Sequence, residues 1–381
     1  MNAQALVQTQ QQGPVLVVSI NNPPVNALGQ GVRAGLLAAV EQLEQDAALK
    51  AMLIVGQGKA FIAGADIREF GKPPMAPALP DVLNRMETGS KLVVAAIHGP
   101  ALGGGLEVAM ATHFRVALAG AKLGLPEVNL GLLPGAGGTQ RSPRLMGVKA
   151  ATELMLSGQH LSAKAALAAG LVDKLAEGDD PLVAGLAYVN ELLARGVPPR
   201  RTRDLAIADK AAALAELDAI ALESVKKTRG LFSPAKIIEC VRAAVELPFE
   251  QGLKRERELF LECLNSPQRQ GLVHAFFAER ETAKIPEAKA AAPRALASIA
   301  VIGGGTMGAG ITVSALDAGL SVVMVERDAE SIARGQKNVE KVYDGLIARG
   351  RMTAEAKAAT MARYTPSTSY DAIKHVDLVI E

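Results

Sequence analysis

A chain of 381 residues is too long for one comfortable hydrophobic core, so two domains are expected. Hydrophobic residues make up 49% and charged residues 21%, an ordinary globular composition. The formal charge of +2, from 41 basic and 39 acidic residues, leaves no footprint for nucleic acid or an anionic membrane.

Aromatic residues reach only 3% and Trp is absent, so Ala and small aliphatic side chains must fill the core. Cys240 and Cys263, with histidines at 98, 113, 160, 274 and 375, form no metal-ligand spacing. Neither a structural metal nor a disulfide framework is expected. The first residues, MNAQALVQTQQQG, lack the basic and apolar regions of a signal peptide. No stretch reaches the roughly 18 apolar residues of a membrane-spanning helix. The chain therefore reads as cytoplasmic.

Val15 to Ile20 reads as a strand that ends at the breaker Asn21-Asn22-Pro23-Pro24. Residues 29–46 carry Val32, Leu36, Leu37, Val40 and Leu43 at helical spacing. Ala51 to Val55 and Leu92 to Ile97 read as further strands. Glycine-bearing loops and helices follow them, which indicates a layered α/β domain over residues 1–200.

From residue 201 to 281 the pattern turns helical, over 205–227, 235–247 and 249–281. Ser233-Pro234, Pro248 and Ser266-Pro267 punctuate it, so a helical bridging region is expected. Residues 282–296, rich in Ala, Lys and Pro, read as a connector. Ser298 to Ile302 then opens a new domain, 297–381, as a buried strand.

The segment His98-Gly-Pro-Ala-Leu-Gly-Gly-Gly-Leu-Glu107 carries the most chemistry. Three glycines lead from a strand into a helix whose first turn holds Glu107. Glycines permit close approach of a ligand, and first-turn N–H groups lack internal partners. Such groups can donate to an oxygen that gains negative charge. Taken alone, the segment could equally be a tight packing turn, with Glu107 stabilised by the helix dipole.

Lys59-Ala-Phe-Ile-Ala63-Gly64-Ala65-Asp66-Ile67 is a second glycine-centred loop, following the second strand of the domain. Leu125-Pro-Glu127 and the run to Arg141 supply a second carboxylate, and Asn22-Pro-Pro-Val-Asn-Ala-Leu28 opens the domain. Leu156-Ser-Gly-Gln-His-Leu-Ser-Ala163, then Ala169-Gly-Leu-Val-Asp173, complete the set. In this order the segments resemble the crotonase (enoyl-CoA hydratase/isomerase) superfamily over roughly residues 12–200.

That resemblance implies roles. The N–H groups of Ala65 and Gly104 would form an oxyanion hole for the thioester oxygen of an acyl-CoA. Ala63, Gly64, Ile67 and Gly104 would contact that substrate, with the loop passing along the CoA adenine. Glu107 and Glu127 would flank C2 and C3 of the enoyl group around a water molecule. Hydration removes a proton from water and adds one at C2, so two carboxyls of opposite protonation state serve it. The family's usual division gives water activation to Glu107 and C2 proton exchange to Glu127. Both carboxyls together favour hydration, with Δ3–Δ2 isomerisation as a side activity.

Gly303-Gly-Gly305-Thr-Met307-Gly308 spells G-x-G-x-x-G after a strand and before a helix. A second strand, Ser321 to Val325, ends at Glu326. This is the context of a dinucleotide fingerprint, with pyrophosphate on the helix start and the acid on the ribose. Gly303, Gly305, Met307, Gly308 and Glu326 are the candidate NAD contacts. The stretch resembles the start of the L-3-hydroxyacyl-CoA dehydrogenases. Ala244-Val-Glu-Leu-Pro-Phe-Glu250, Lys254 to Leu261 and His274 to Arg280 resemble the bridge of fused β-oxidation multifunctional enzymes, hydratase first.

In that family the dehydrogenase His and Glu, and its helical substrate domain, lie beyond Asp377-Leu-Val-Ile-Glu381. A fragment or truncated product is therefore expected, with an incomplete Rossmann-type half that does not dehydrogenate alone. Another crotonase reaction, or a CoA- and NAD-binding scaffold without catalysis, stays open as an alternative. Acyl chain length and oligomeric state are not readable.

Overall fold

The computed structural model describes residues 5–66, 69, 72–73, 75–228, 230–282 and 284–381. They form two compact units, Met1–Ala283 and Lys284–Glu381.

The first unit begins with an antiparallel pair, β1 (Val7–Gln12) and β2 (Val15–Ile20), turning at Gly13 with φ of +59°. After α1 (Gln30–Gln45) come β3 (Ala51–Gly56), α2 (Leu79–Glu87) and β4 (Leu92–Ile97). Next are β5 (Pro100–Leu102), α3 (Gly104–Ala111), β6 (Phe114–Leu118) and β7 (Lys122–Gly124). A short 3-10 helix, Pro126–Leu130, leads to α4 (Gly138–Met146) and α5 (Val148–Ser157). β8 (His160–Ser162), α6 (Ala163–Ala168), β9 (Lys174–Ala176) and α7 (Pro181–Ala194) complete the layered part.

The described strands form a six-stranded sheet in the order β1-β2-β3-β4-β6-β9, parallel from β2 onward. β5, β7 and β8 form a smaller sheet beside it. Side chains alternate across the main sheet, as the pleat requires. Leu16, Val18, Met52, Ile54, Val93 and Ala95 join one core. Val17, Leu53, Val55, Val94 and Ala96 join a second, with Tyr188, Val189 and Leu192 of α7. Burial on both faces explains why these strands read as unbroken apolar runs.

Four helices follow: α8 (Lys210–Thr228), α9 (Phe232–Glu246), α10 (Phe249–Leu264) and α11 (Pro267–Thr282). Ile237, Cys240, Val241, Leu259 and Cys263 belong to the same core as Leu16 and Val18. The helical stretch is thus part of the first unit's packing.

The second unit has four parallel strands in the order β12-β11-β10-β13. These are β10 (Ser298–Ile302), β11 (Ser321–Val325), β12 (Tyr364–Ser367) and β13 (Leu378–Ile380). Helices α12 (Thr306–Asp317), α13 (Ala329–Ala348) and α14 (Ala354–Met361) connect them. His375 lies exposed in a turn after the short 3-10 helix Tyr370–Ile373. No helix of the described residues is long and apolar enough to cross a membrane.

Candidate active site

The site forms where β3 and β4 end, at the carboxyl edge where open α/β sheets characteristically bind ligands. Asn26, buried with φ of +55°, donates through Nδ2 to the carbonyls of Gln57 (2.9 Å), Ala60 (2.8 Å) and Phe61 (3.2 Å). It ties the loop after β3 to the Asn22–Leu28 segment. Ala63 N–H donates to Val25 O and Leu28 N–H to Gly64 O, so Leu28 bridges Ala65 in parallel. In such a bridge the partner bonds to the residues flanking Ala65, which leaves the Ala65 N–H pointing away from Leu28. Ile67 lies outside the described residues.

Gly104 opens α3, where first-turn N–H groups have no intrahelical acceptor. A Cβ added to Gly104 would stand 3.7 Å from Ala65 N, so the two backbones face each other closely. Gly105 admits no side chain either, because its Cβ would lie 2.0 Å from Ile62 O. The glycine run is therefore demanded by the approach of the loop after β3.

Glu107, 3% exposed in the first turn of α3, accepts through Oε1 from Ala136 N–H (2.7 Å) and Gly138 N–H (2.8 Å). Burial pushes its carboxyl above the ordinary glutamate value, opposed by those amides and the Arg141 guanidinium. Glu127 sits on the 3-10 helix, and its carboxyl turns inward rather than into solvent. A Cβ on Gly103 would stand 2.9 Å from Glu127 Oε1. Its Oε2 is buried with no hydrogen-bond partner among the described residues. Burial, and then the negative charges of Glu107 and Glu256, push it well above the ordinary value. The two sequence-expected carboxylates thus meet at the start of α3.

A third carboxylate joins them. Glu256 of α10, 1% exposed, accepts from Gly137 N–H (2.7 Å), Thr139 N–H (3.1 Å) and Thr139 Oγ1 (2.5 Å). Burial, followed by Glu107, raises it to about 8. Arg141 lies 1% exposed in a 2.7 Å pair with Glu87 and donates to Ala136 O at 3.1 Å. Glu256 lies in the Lys254–Leu261 stretch that resembles the bridge of fused enzymes, but the sequence assigns a role to neither it nor Glu87.

In the second unit, Gly303 takes φ of +93° and Gly305 caps α12. A Cβ on Gly308 would lie 1.8 Å from Gly303 O, so the helix can press on the turn only as glycine. Added Cβ atoms at Gly303 and Gly305 would meet nothing within 4 Å, which leaves that face of the turn open to a phosphate. Glu326 Oε1 accepts Gly304 N–H at 2.7 Å, and Met307 is exposed on the first turn. These residues fit the pyrophosphate and ribose of NAD.

Residues 10–198 match the family described as enoyl-CoA hydratase/isomerase, and residues 298–381 the NAD-binding domain of 3-hydroxyacyl-CoA dehydrogenase. Residues 10–198 belong to the crotonase superfamily. It is 40% identical over 372 residues to a peroxisomal bifunctional enzyme of Danio rerio, covering 96% of this chain and 51% of that one. A peroxisomal fatty acid beta-oxidation multifunctional protein of Oryza sativa is 37% identical, with 96% and 52% covered. Among solved structures, a carnitinyl-CoA dehydratase from Mycobacterium avium is 26% identical with a TM-score of 0.54, covering 72% of this chain and 97% of that one. The chain spans about half the length of the curated relatives it matches.

The crotonase-type domain and the Rossmann-type NAD-binding domain both agree with the expectation from sequence. The cytoplasmic expectation does not stand, because these relatives are named peroxisomal or glyoxysomal. The N-terminal residues test only the secretory route, whereas a peroxisomal address of the Ser-Lys-Leu kind is read at a C-terminus.

Proposed function

We propose that the first unit adds water across the double bond of 2-trans-enoyl-CoA thioesters, giving L-3-hydroxyacyl-CoA in fatty-acid β-oxidation. The observation that carries this reading is the buried, unpartnered Oε2 of Glu127 in a site shared with Glu107. A carboxyl so placed needs a partner, and a bound thioester with its water supplies one.

In this reading the N–H groups of Ala65 and Gly104 hold the thioester oxygen as charge develops, a contact typically worth about 3 kcal/mol per donor. Ala63 and Gly64 line the passage of the CoA portion. Glu107, with two amides and Arg141 favouring its ionised form, accepts the proton of the attacking water. Glu127, whose burial and negative neighbours outweigh the one backbone N–H that favours its charged form, stays protonated and delivers its proton to C2. Environments that separate two neighbouring carboxyls in this way mark the acid and the base. The pair titrates as a unit, so the assignment describes the dominant proton arrangement. Proton exchange at C2 by Glu127 also supports Δ3–Δ2 isomerisation as a secondary activity.

Residues 1–200 then act as the hydratase domain, 201–281 as its helical partner and 282–296 as a connector. Residues 297–381 hold NAD through Gly303, Gly305, Met307, Gly308 and Glu326, for a parent protein that would also oxidise the 3-hydroxyacyl product.

The test is crotonyl-CoA hydration by the purified chain, followed at the enoyl-thioester absorbance, beside Glu127→Gln. Turnover by the wild type with a loss of at least about a hundredfold in the variant is expected. Turnover unaffected by the substitution, or none by folded wild type, would overturn the reading.

A further inference from the structure

The loop from Leu133 and the first residues of α4, as far as Thr139, are gripped from two sides by carboxylates far apart in sequence. Glu107 Oε1 takes the N–H groups of Ala136 and Gly138, at 2.7 and 2.8 Å. Glu256 takes the alternate pair, Gly137 at 2.7 Å and Thr139 at 3.1 Å, and also the Thr139 hydroxyl at 2.5 Å. Four successive N–H groups thus alternate between two acids.

The stretch cannot hold this shape unaided. Gly137 takes φ of +95°, and a Cβ on Gly138 would sit 2.8 Å from Glu107 Oε1. Leu133, Ala136, Gly137, Gly138 and Thr139 are buried, so their amides cannot turn to water instead. If Glu256 is lost, the N–H groups of Gly137 and Thr139 are left unpaired inside the protein. An unmet buried donor is costly, so the loop would shift to find another acceptor. Any such shift moves Ala136 and Gly138, and with them the oxygen of Glu107.

Other contacts anchor α10 in the same place. Arg141, Arg144 and Arg203 surround the Phe249 ring at 5.2, 5.1 and 4.9 Å to its centre. Gly252 lies against Gln140, whose Nε2 donates to Thr139 Oγ1 at 2.9 Å and Cys240 O at 3.0 Å. The ring of Phe260 fills the space beside Gly135, 2.5 Å from where a Cβ there would stand. α10 is therefore packed along the length of the loop, and Glu256 is its polar contact with the loop's amides.

We propose that Glu256 is a positioning residue of the hydratase centre: from the helical stretch it fixes the 136–139 amides that orient Glu107. It would touch neither substrate nor water. The inference rests on the hydratase reading and extends the site to α10, which residues 10–198 do not contain.

The experiment compares wild type, Glu256→Gln, Glu256→Asp, Glu256→Leu and Glu127→Gln as full chains. Glu258→Gln, on the exposed face of α10, serves as control. Crotonyl-CoA hydration is measured per folded molecule, and amide hydrogen exchange is followed over the peptide 133–141. In Glu256→Gln the side-chain NH2 must face an N–H donor, so one clamp is lost. A fall of about tenfold in kcat is expected, with KM within threefold, and about a hundredfold in Glu256→Leu. Glu256→Asp, which keeps both acceptors, recovers part of the loss. Exchange at Ala136 and Gly138 rises along with that at Gly137 and Thr139.

A merely structural role predicts less folded protein but normal kcat per folded molecule, and that result overturns the proposal. Unchanged exchange at Ala136 and Gly138 in a variant that lacks the clamp overturns it too. If Glu127→Gln abolishes turnover while every Glu256 variant works normally, the hydratase reading stands and the positioning role falls. If folded wild type turns over no enoyl-CoA, the hydratase reading falls and the positioning role with it, while the exchange arm still shows whether Glu256 holds the 136–139 amides.

Discussion

Glu127 rests its carboxyl against Gly103: a Cβ at that glycine would stand 2.9 Å from Glu127 Oε1 and 3.5 Å from the carboxyl carbon. Gly103 also takes φ of +51° and ψ of −126°, outside the regions open to other residues. Gly103→Ala therefore strains the backbone and pushes the proposed C2 acid out of place. Stability should fall by about 1–3 kcal/mol. Hydration should slow by about tenfold to a hundredfold. Urea unfolding and crotonyl-CoA turnover measured on one preparation separate the two losses. Full activity would show that Glu127 can leave Gly103 without cost.

The three carboxyls also set a pH dependence of stability. Glu107, Glu127 and Glu256 are all raised, with burial the first cause, and Glu256 reaches about 8 from the ordinary 4.5. The folded chain then holds protons that the unfolded chain releases, so this contribution is complete below about 4.5. It is lost as pH rises toward 8. Buried His113 acts in the opposite sense, because burial lowers it and the unfolded chain takes up the extra proton. The difference between wild type and Glu256→Gln isolates the carboxyl's share. Unfolding midpoints in urea at pH 5.5 and 8 should fall with pH more steeply in wild type than in the variant. Parallel slopes would show that Glu256 titrates normally.

How much of this was legible depended on distance along the chain. Glu326 and the glycine turn could be read because 22 residues separate Gly304 from the acid that caps its N–H. Glu107 and Glu127 were singled out through the crotonase resemblance, because the glycine and proline turns that carry them leave local motifs. Glu256 was not, since it meets Gly137 across 119 residues and sits in an otherwise ordinary charged helix. The strand β1 was equally silent. Its sequence VQTQQQ has no apolar alternation, and it exists because the turn at Gly13 delivers its backbone to β2. In β6 the charge of Arg115 masked a buried strand. Its guanidinium is carried by the carbonyls of Leu171 and Thr112 and by Asp173, none of them predictable from local pattern.

Glu87 and Arg141 form a pair at 2.7 Å with side chains 0% and 1% exposed. Glu87 Oε1 also accepts the Arg203 N–H at 2.9 Å, and Arg141 reaches the Ala136 carbonyl. Removing one member strands the other in the interior. Glu87→Ala should therefore cost about 3–5 kcal/mol. Arg141→Met should cost a similar amount and also slow hydration, because the cation that favours ionised Glu107 goes with it. Replacing both by Met and Leu should recover stability but not turnover. Denaturant titration of the two single variants and the double variant gives the coupling. Additive losses would mean that the pair is not a unit.

In the second unit, Glu326 is expected to serve two partners, the Gly304 N–H at 2.7 Å and the ribose of NAD. Glu326→Ala removes a charged acceptor, an interaction worth about 1.5–3 kcal/mol. NAD should bind about tenfold to a hundredfold more weakly. The gap between NAD and NADP should narrow, since Arg327 next to it remains exposed and the repelling carboxylate is gone. Gly308→Ala is the harsher change, because its Cβ would overlap Gly303 O at 1.8 Å and force the helix off the turn. Calorimetric titration of each full-length variant with both dinucleotides checks the pair, with thermal unfolding as the control for folding. Loss of NAD binding in Gly308→Ala with none in Glu326→Ala would assign recognition to the turn alone. Equal weakening of NAD and NADP in Glu326→Ala would mean that the acid supports the turn rather than reading the ribose.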